Sequence, residues 1–196
     1  MAEVHPPIPV KLFVGMLSAD PALFDECRAL LCEEYGAMDL EGPALPWNHT
    51  DYYQEEMGPG LLRKFFFFEK LIDPALLARI KNHANGIEAL KAVTSERRVR
   101  RRSNLDPGYV TEAKVVLASA KDFAHRIYIG EHLYAEVTLQ YRGRDRTFLS
   151  LEHTYPDFRT KETIELFLKA REMLRKNLRL KPIAEKVGQG PVRTST

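Results

Sequence analysis

Two apolar runs constrain the fold of this chain more than any other feature of its sequence. Val10 to Leu17 has the sequence VKLFVGML, and Leu61 to Ile72 contains four consecutive phenylalanines, Phe65 to Phe68. A strand with one face in water alternates apolar and polar residues, whereas a strand buried on both faces is apolar nearly throughout. The two runs therefore predict buried strands, and the phenylalanine run fits the centre of a sheet.

Helices alternate with strands in the first half of the chain. A helix is predicted to begin at Pro21 and to end at Gly36, and a short strand, Met38 to Glu41, follows. Asp73-Pro74 begins a second helix, and Arg98 to Leu105 predicts the strand after it. The order is that of a ferredoxin-like βαββαβ unit. We therefore predict an α+β fold with a mostly antiparallel sheet and about three helices.

The second half of the chain predicts a hairpin that extends this sheet. Asp106-Pro107-Gly108 has the composition of a turn, because proline fixes φ and glycine tolerates a positive φ. Thr111 to Ser119 is compatible with a helix or a strand. Ala124 to Ile129 and Leu133 to Tyr141 then pair across a short connection, Gly130-Glu131-His132.

The predicted globular unit is a single domain of residues 10–180. Residues 1–9 are rich in proline and predict an extended segment. Thr160 to Leu180 predicts the third helix, with apolar residues at helical spacing. Residues 181–196 show no periodicity and predict a disordered tail.

Composition narrows the class of protein. The chain has 196 residues, of which 44% are hydrophobic and 29% charged, so it can bury a core without disulfides or metal ions. A net charge of +2 gives no overall field that would require a nucleic acid or a membrane. The chain has no run of about 18 apolar residues that predicts a membrane span. Met1 to Pro9 lacks signal-peptide features, and the two cysteines, Cys27 and Cys32, favour free thiols and a cytoplasmic location.

Ionisable side chains are concentrated between Asn104 and Tyr141. Lys121, Asp122, His125 and Arg126 form the densest group. A histidine near a carboxylate can serve as a general acid or base near neutral pH, although a single histidine is more often structural. In an extended segment His125 and Arg126 would lie on opposite faces.

Glu136 lies in an otherwise apolar strand. Alternation places Val137 and Leu139 on one face of that strand and Glu136 on the other. If the second face is covered, the carboxylate needs a partner, and His125 or Arg126 on the paired strand could supply it.

These observations predict a polar and aromatic pocket that binds a small anionic ligand, either a nucleotide or a phosphorylated metabolite. The candidate catalytic residues are His125 as acid or base, with Asp106 and Glu136 as orienting carboxylates. The candidate binding residues are Asp51, Tyr52, Asn104, Tyr109, Lys121, Arg126, His153, Tyr155 and Arg159.

Metal binding receives weak support from the sequence. His49, His125, Glu136 and His153 are of the types that bind zinc. No short ligand spacing such as HxxxH or CxxC is present, so no metal site is predicted and the cofactor is left open.

Two alternatives to a small ligand remain. The run Arg97 to Arg102 could neutralise phosphates of RNA, although few aromatic residues lie beside it to stack on bases. The chain could also be a scaffold or oligomer without a ligand, in which Phe65 to Phe68 and the tyrosines simply pack.

Several long segments carry a family resemblance. They are Val10–Gly15, Thr50–Gly58, Phe68–Ile72, Asn104–Tyr109, Lys121–Tyr128, Tyr134–Leu139 and Thr154–Arg159. Together they resemble the DUF4416 family of prokaryotic proteins, over roughly residues 8–178. The resemblance implies a family of unknown function, some members of which carry a GTP-binding label. This chain has no GxxxxGK[ST], GxGxxG or GxSxG motif, so the signatures of a P-loop, a dinucleotide site and a nucleophile elbow are missing.

Overall fold

The structure is a computed structural model that describes residues 3–49, 54–95 and 98–180. The strands are β1 Val10–Ser18, β2 Met38–Glu41, β3 Leu45–Pro46, β4 Leu62–Ile72, β5 Val93–Ser95, β6 Arg98–Arg100, β7 Ser103–Val110, β8 Lys114–Ser119, β9 Ile127–Gly130, β10 Leu133–Arg142 and β11 Thr147–Ser150. The helices are α1 Pro21–Tyr35, α2 Gln54–Met57, α3 Leu77–Lys91 and α4 Lys161–Leu180, with 3-10 turns at Pro74–Leu76 and Pro156–Arg159.

Within these residues, a nine-stranded antiparallel sheet forms the centre of the molecule. Its main path has the order β11-β10-β8-β7-β1-β4-β2, while β3 pairs with β4 and β9 pairs with β10. The first half of the chain supplies β7-β1-β4-β2, with α1 after β1 and α3 after β4. This is the strand order of a ferredoxin-like unit, and the α+β prediction is confirmed. The strands β5 and β6 form a separate ribbon.

Both faces of the sheet are covered, which explains the two apolar runs. Leu12, Val14 and Met16 of β1 pack in one buried cluster with residues of α1 and α3. Phe13 points to the other face and packs with residues of α4. The phenylalanines of β4 divide in the same way, Phe66 and Phe68 with the first cluster and Phe65 and Phe67 with the second. Each buried side chain of this size contributes roughly 1.5–3 kcal/mol.

Lys11 is the one charged residue of the β1 run, and its side chain is fully buried. Its Nζ lies 2.7 Å from both carboxylate oxygens of Asp39 and 2.8 Å from the carbonyl oxygen of Phe68. Burial lowers the pKa of the lysine, and the Asp39 carboxylate opposes that shift. The contacts of the Lys11 ammonium group with Asp39 and Phe68 therefore serve to stabilise the fold.

The segment Asp106-Pro107-Gly108 was predicted to be a turn, and this prediction is wrong. The three residues lie inside β7, paired with Gly15, Val14 and Phe13 of β1. Gly108 is needed for close approach of the neighbouring chain rather than for a positive φ. A Cβ atom there would lie 2.3 Å from the carbonyl oxygen of Val116 and 2.4 Å from the ring of Phe13.

The other predicted strands shift in their bounds. The segment predicted at 98–105 divides into β6 and β7, and 111–119 contains β8 rather than a helix. The hairpin is confirmed, with Glu131 and His132 both at positive φ in its turn. Its first strand begins only at Ile127, so residues 124–126 form a turn instead of extended chain.

Between β3 and β4, residues 47–49 follow β3 directly, and Gln54–Met57 form the single-turn helix α2. No helix among residues 3–49, 54–95 and 98–180 is both long enough and apolar enough to cross a membrane. Cys27 and Cys32 are both free thiols, and burial raises the pKa of Cys27.

Candidate functional site

A cleft opens where β7 and β8 separate. The two strands pair only from Gly108–Leu117 to Val110–Val115. The preceding residue of β7 is Pro107, which has no N–H to donate. The resulting cavity has a volume of about 170 Å³. It is lined by Trp47, Arg63, Lys81, Asn85, Arg101, Asn104, Asp106, Leu117, Ala118, Ser119, Ala120, Lys121, Arg126, Tyr155, Pro156, Asp157 and Phe158.

Side chains of α3 replace the missing strand partner along β7. Glu88 accepts a hydrogen bond from the backbone N–H of Leu105 at 2.7 Å. Lys81 Nζ donates to the carbonyl oxygen of Leu105 at 2.6 Å. Buried backbone groups must be paired, so these two buried charged residues stabilise an edge of β7 that β8 leaves open.

Two carboxylates on the β7 side of the cleft share one guanidinium. Arg63 of β4 donates from Nη1 to Asp106 at 3.0 Å, and its Nε lies 2.8 Å from Asp157. Asn104 also donates to Asp106, at 2.6 Å, and Lys81 Nζ lies 3.8 Å from the same carboxylate. Both acids are therefore held in fixed positions against the cleft.

The pKa of Asp106 reflects two opposing effects. Burial alone would raise the pKa of the carboxyl group, but Arg63 and Lys81 hold it below its ordinary value of 3.8. The hydrogen bonds from Arg63 and Asn104 act in the same direction. Asp106 is accordingly ionised at neutral pH, and its side chain is 20% exposed toward the cleft.

Arg126 forms the wall of the cleft on the β8 side. It donates to Glu136 at 2.7 Å, to Ser119 Oγ at 2.6 Å, to the carbonyl oxygen of Lys121 at 2.9 Å and to Tyr155 Oη at 3.0 Å. Its guanidinium also lies 4.6 Å from the ring centre of Phe123. These contacts hold the cation in one position.

A bulge in β10 brings a second group of residues together behind Arg126. Val137 pairs with Val116 and Leu139 with Val115, so Thr138 is an extra residue in β10. The bulge reverses the alternation of faces. Glu136 pairs with Leu117, which packs on the α4 side of the sheet, and Leu139 packs on that same side. The prediction that Glu136 and Leu139 face opposite sides is therefore wrong.

Glu136 is buried and has the partners that the sequence predicted. His125 Nε2 lies 3.0 Å from its Oε2, and Arg126 donates to the same oxygen. Strand alternation had placed His125 and Arg126 on opposite faces, and this is wrong because both lie in a turn. The ring of His153 stacks on that of His125, with centres 4.2 Å apart, and its Nε2 lies 3.0 Å from the carbonyl oxygen of Val137.

Residues 8–174 match the model of the DUF4416 family, described as a domain of unknown function. The chain belongs to the DUF4416 family. No curated protein sequence and no solved structure matches the chain. The family resemblance seen in the sequence is therefore confirmed, and the geometry carries the functional argument for this DUF4416 chain.

The structure brings most of the predicted residues to the cleft or beside it. Those that line the cleft are Asn104, Asp106, Lys121, Arg126 and Tyr155. His125, Glu136 and His153 lie directly behind Arg126 and Tyr155. Asp51 and Tyr52 lie outside the residues that the structure describes.

Two predicted binding residues of the DUF4416 chain lie elsewhere. Tyr109 packs against a buried cluster that contains Leu77 and Ala135, because its side chain alternates away from Asp106 along β7. Arg159 donates to the carbonyl oxygens of Thr154 and Glu152 and holds the loop before α4. Neither lines the cleft.

Several residues of the cleft escaped the sequence prediction. Lys81, and Glu88 beside the cleft, carried a usable signal, because two charged residues seven apart fall within the apolar stripe of a predicted helix. Arg63 and Asp157 carried none, since they are distant in sequence and meet only through the packing of β4 against the turn before α4.

The arginine run of the DUF4416 chain is divided by the fold. Arg101 forms ion pairs with Glu56 at 2.6 Å and Glu88 at 3.2 Å, and Arg102 pairs with Asp20. Arg100 is exposed on β6, and Arg97 lies outside the described residues. The two paired arginines therefore serve contacts within the fold.

Proposed function

We propose that the cleft between β7 and β8 binds a small metabolite that carries both an anionic group, such as a phosphate, and hydroxyl groups. The observation that carries this proposal is the placement of the acids in the cleft. Asp106 and Asp157 line it beside the cations Arg63, Lys81 and Arg101, whereas the described lining residues of β8 and the turn that follows it, Leu117 to Lys121, carry a cation and no acid.

The β8 side suits an anionic group. Arg126 is held by four hydrogen-bond partners and gives a fixed positive charge, and Lys121 adds a second. Ser119 and Tyr155 place hydroxyl groups beside them. Cations and hydroxyl donors that converge on one wall are the usual partners of a phosphate or a carboxylate.

The β7 side suits hydroxyl groups. Asp106 and Asp157 are fixed by Arg63, and ionised carboxylates only accept hydrogen bonds. Asn104 lies at the same wall, and its side-chain amide has both a donor, the NH2 group, and an acceptor, the carbonyl oxygen. A polyol or a sugar can donate to these oxygens while its anionic group lies on the opposite wall.

The size of the cleft limits the ligand. A volume of about 170 Å³ is smaller than the roughly 300 Å³ at the lower end of pockets that enclose drug-sized ligands. A whole nucleotide exceeds this space, whereas a small sugar phosphate or phosphorylated polyol is closer to it. The proposal therefore favours the phosphorylated metabolite over the nucleotide, with binding as the function and catalysis left aside.

The proposal is tested by calorimetric titration of inorganic phosphate, small sugar phosphates and nucleotides into the protein. We expect a sugar phosphate to bind more tightly than a nucleotide. Lys121→Ala should weaken this binding by about 10-fold, because a hydrogen bond to a charged group is worth about 1.5–3 kcal/mol.

Arg100→Ala is the matched control, since it removes an exposed positive charge on β6 that does not line the cleft. It should leave the affinity unchanged. Equal losses in the two variants, or a gel shift with RNA that only Arg100→Ala weakens, would contradict the proposal and favour the arginine run as an RNA contact.

A further inference from the structure

Behind the cleft wall, two histidines and a glutamate converge from three separate segments. His125 lies in the turn before β9, Glu136 in β10, and His153 in the loop after β11. Each offers one ligand atom, and the three atoms all lie within 4.8 Å of one another. Imidazole nitrogen and carboxylate oxygen are typical ligands of zinc and related divalent metals.

We propose that His125, Glu136 and His153 form a binding site for a divalent transition metal, with Zn²⁺ as its simplest occupant. Three protein ligands leave a coordination position for water or another molecule, as in metal sites that act on a substrate. The inference goes beyond the binding function proposed for the cleft, because it rests on different side chains.

The contacts around His153 are those of an oriented metal ligand. Its Nε2 lies 3.0 Å from the carbonyl oxygen of Val137, so this nitrogen carries the proton and donates it to the bulge of β10. In a neutral imidazole the other nitrogen, Nδ1, then holds the lone pair. Histidine ligands usually donate their second nitrogen to a carbonyl or carboxylate in this way.

Glu136 also has a suitable arrangement. Its Oε2 accepts a hydrogen bond from Arg126 and lies 3.0 Å from His125 Nε2, whereas among the described residues its Oε1 has only a long contact of 3.5 Å from Thr138 Oγ1. One oxygen can therefore be held by the guanidinium while the other binds an ion, which is the common pattern behind metal-bound carboxylates. The side chain has no exposed surface, so its position is fixed by the fold.

His125 is the ligand that must move. Its ring lies nearly parallel to that of His153, at 16°, and two parallel imidazoles cannot both direct a nitrogen at one ion. Its side chain is 29% exposed and lies in a turn, so the ring has room to rotate. Its Nε2 is already 3.0 Å from Glu136, at Oε2, the oxygen that also accepts from Arg126.

An ion at this position would lie behind Arg126 and Tyr155, which both line the cleft. It would add positive charge near the wall that is proposed to hold an anionic group. The metal site and the cleft are nevertheless separable, because Lys121 and Asp106 contribute to the cleft and are not metal ligands.

The experiment is a titration of the purified, chelator-treated full chain with Zn²⁺, followed by competition with a chromophoric chelator. Co²⁺ serves as a second probe, because its visible absorption reports nitrogen and oxygen ligands. We expect one equivalent of metal, with affinity lowered more than about 10-fold in His125→Gln and in His153→Gln. Loss of a group behind a metal ligand already lowers affinity about 10–100-fold, and loss of the ligand itself should cost no less.

His132→Asn is the matched control, because this exposed histidine lies in the β9–β10 turn at positive φ, which asparagine tolerates. His132→Asn should bind metal like the parent chain. Lys121→Ala should do so too, and this result would distinguish metal binding from ligand binding in the cleft. If His153→Gln fails to fold because it supports the bulge, the more exposed His125→Gln decides. Absence of Zn²⁺ binding to the parent chain, or binding that His125→Gln retains in full, would overturn the proposal.

Discussion

Two buried ion pairs of the molecule differ in their surroundings, because one is enclosed by the fold and the other borders the cleft. Lys11 and Asp39 meet on the edge of the core, where the third bond of the lysine goes to a backbone carbonyl, and neither residue lines the cleft. Arg126 and Glu136 are at least as deeply buried, with 1% and 0% of their side chains exposed, yet Arg126 forms part of the cleft wall. Burial of a charge therefore does not by itself mark a site. The neighbours of the pair decide whether it serves the fold or a ligand.

We call Lys11–Asp39, which does not border the cleft, the closed pair, and Arg126–Glu136, which does, the open pair. The largest expected effect on stability comes from the closed pair. Lys11→Ala leaves the Asp39 carboxylate without its partner, and removal of one member of a buried pair costs about 3–5 kcal/mol. Because Asp39 keeps 17% exposure, the loss in the free energy of unfolding should lie near the lower end. Urea denaturation measures it, with the exposed Lys70→Ala as control. Ligand affinity of the folded fraction should not change, and a change would mean that the comparison is wrong.

The open pair should respond in two ways. Arg126→Met leaves the buried Glu136 with His125 as a remaining partner, so we expect a stability loss just below the range of about 3–5 kcal/mol for a broken buried pair. It should also abolish binding of a phosphorylated ligand to the cleft, which Lys11→Ala does not. Denaturation and calorimetric titration of the same sample separate the two effects. Retained binding in Arg126→Met would mean that both pairs are structural.

Asp106 tests the charge balance of the β7 side by its pH dependence. Its pKa in the folded chain lies below 3.8, so its contribution to stability is present above that pH and is lost as the pH falls through the folded pKa. Asp106→Asn should reduce stability at neutral pH by about 1.5–3 kcal/mol, since it removes hydrogen bonds to charged groups. Below about pH 4, the unfolding free energy of the variant should fall less steeply than that of the parent. Parallel curves would show that Asp106 gains no stability from Arg63 and Lys81.

The smallest effect is expected at the outer partner of Arg126. Tyr155→Phe removes the hydroxyl that accepts a hydrogen bond from Arg126 at 3.0 Å, and Tyr155 itself is 39% exposed. The stability change should be about 0.5 kcal/mol, the low end for a single hydrogen bond. Ligand affinity should fall more than stability does, as measured by titration. A larger effect on stability than on binding would place Tyr155 with the closed pair.

The cleft itself was only partly predictable. Asn104, Asp106, Lys121 and Tyr155 were found because polar residues next to apolar strands suggest a site. The turn predicted at Asp106-Pro107-Gly108 was wrong because proline and glycine also occur inside strands. Proline suits a position where strand pairing stops, and glycine suits a position where neighbouring chains approach closely. Only contact with Phe13 and Val116 distinguishes the two cases.

The bulge at Thr138 is the second feature that local reasoning missed. Simple alternation assigned Glu136 and Leu139 to opposite faces, yet one inserted residue returns them to the same face. The same bulge directs the carbonyl of Val137 to His153. Register is set by the neighbouring strand, so one strand read alone does not reveal the shift.

The sequence by itself determined the α+β class, the two central strands buried on both faces, the order of the first half and the family. The class, the two strands and their order follow from local periodicity, which each segment carries within itself, and the family follows from the match of residues 8–174 to its model. The tertiary structure alone decided where β8 leaves β7, which charges became paired, and which histidines meet Glu136. Those depend on strand register and on contacts between residues far apart in the chain, such as Arg63 with Asp157, where small free-energy differences between packings select the partner.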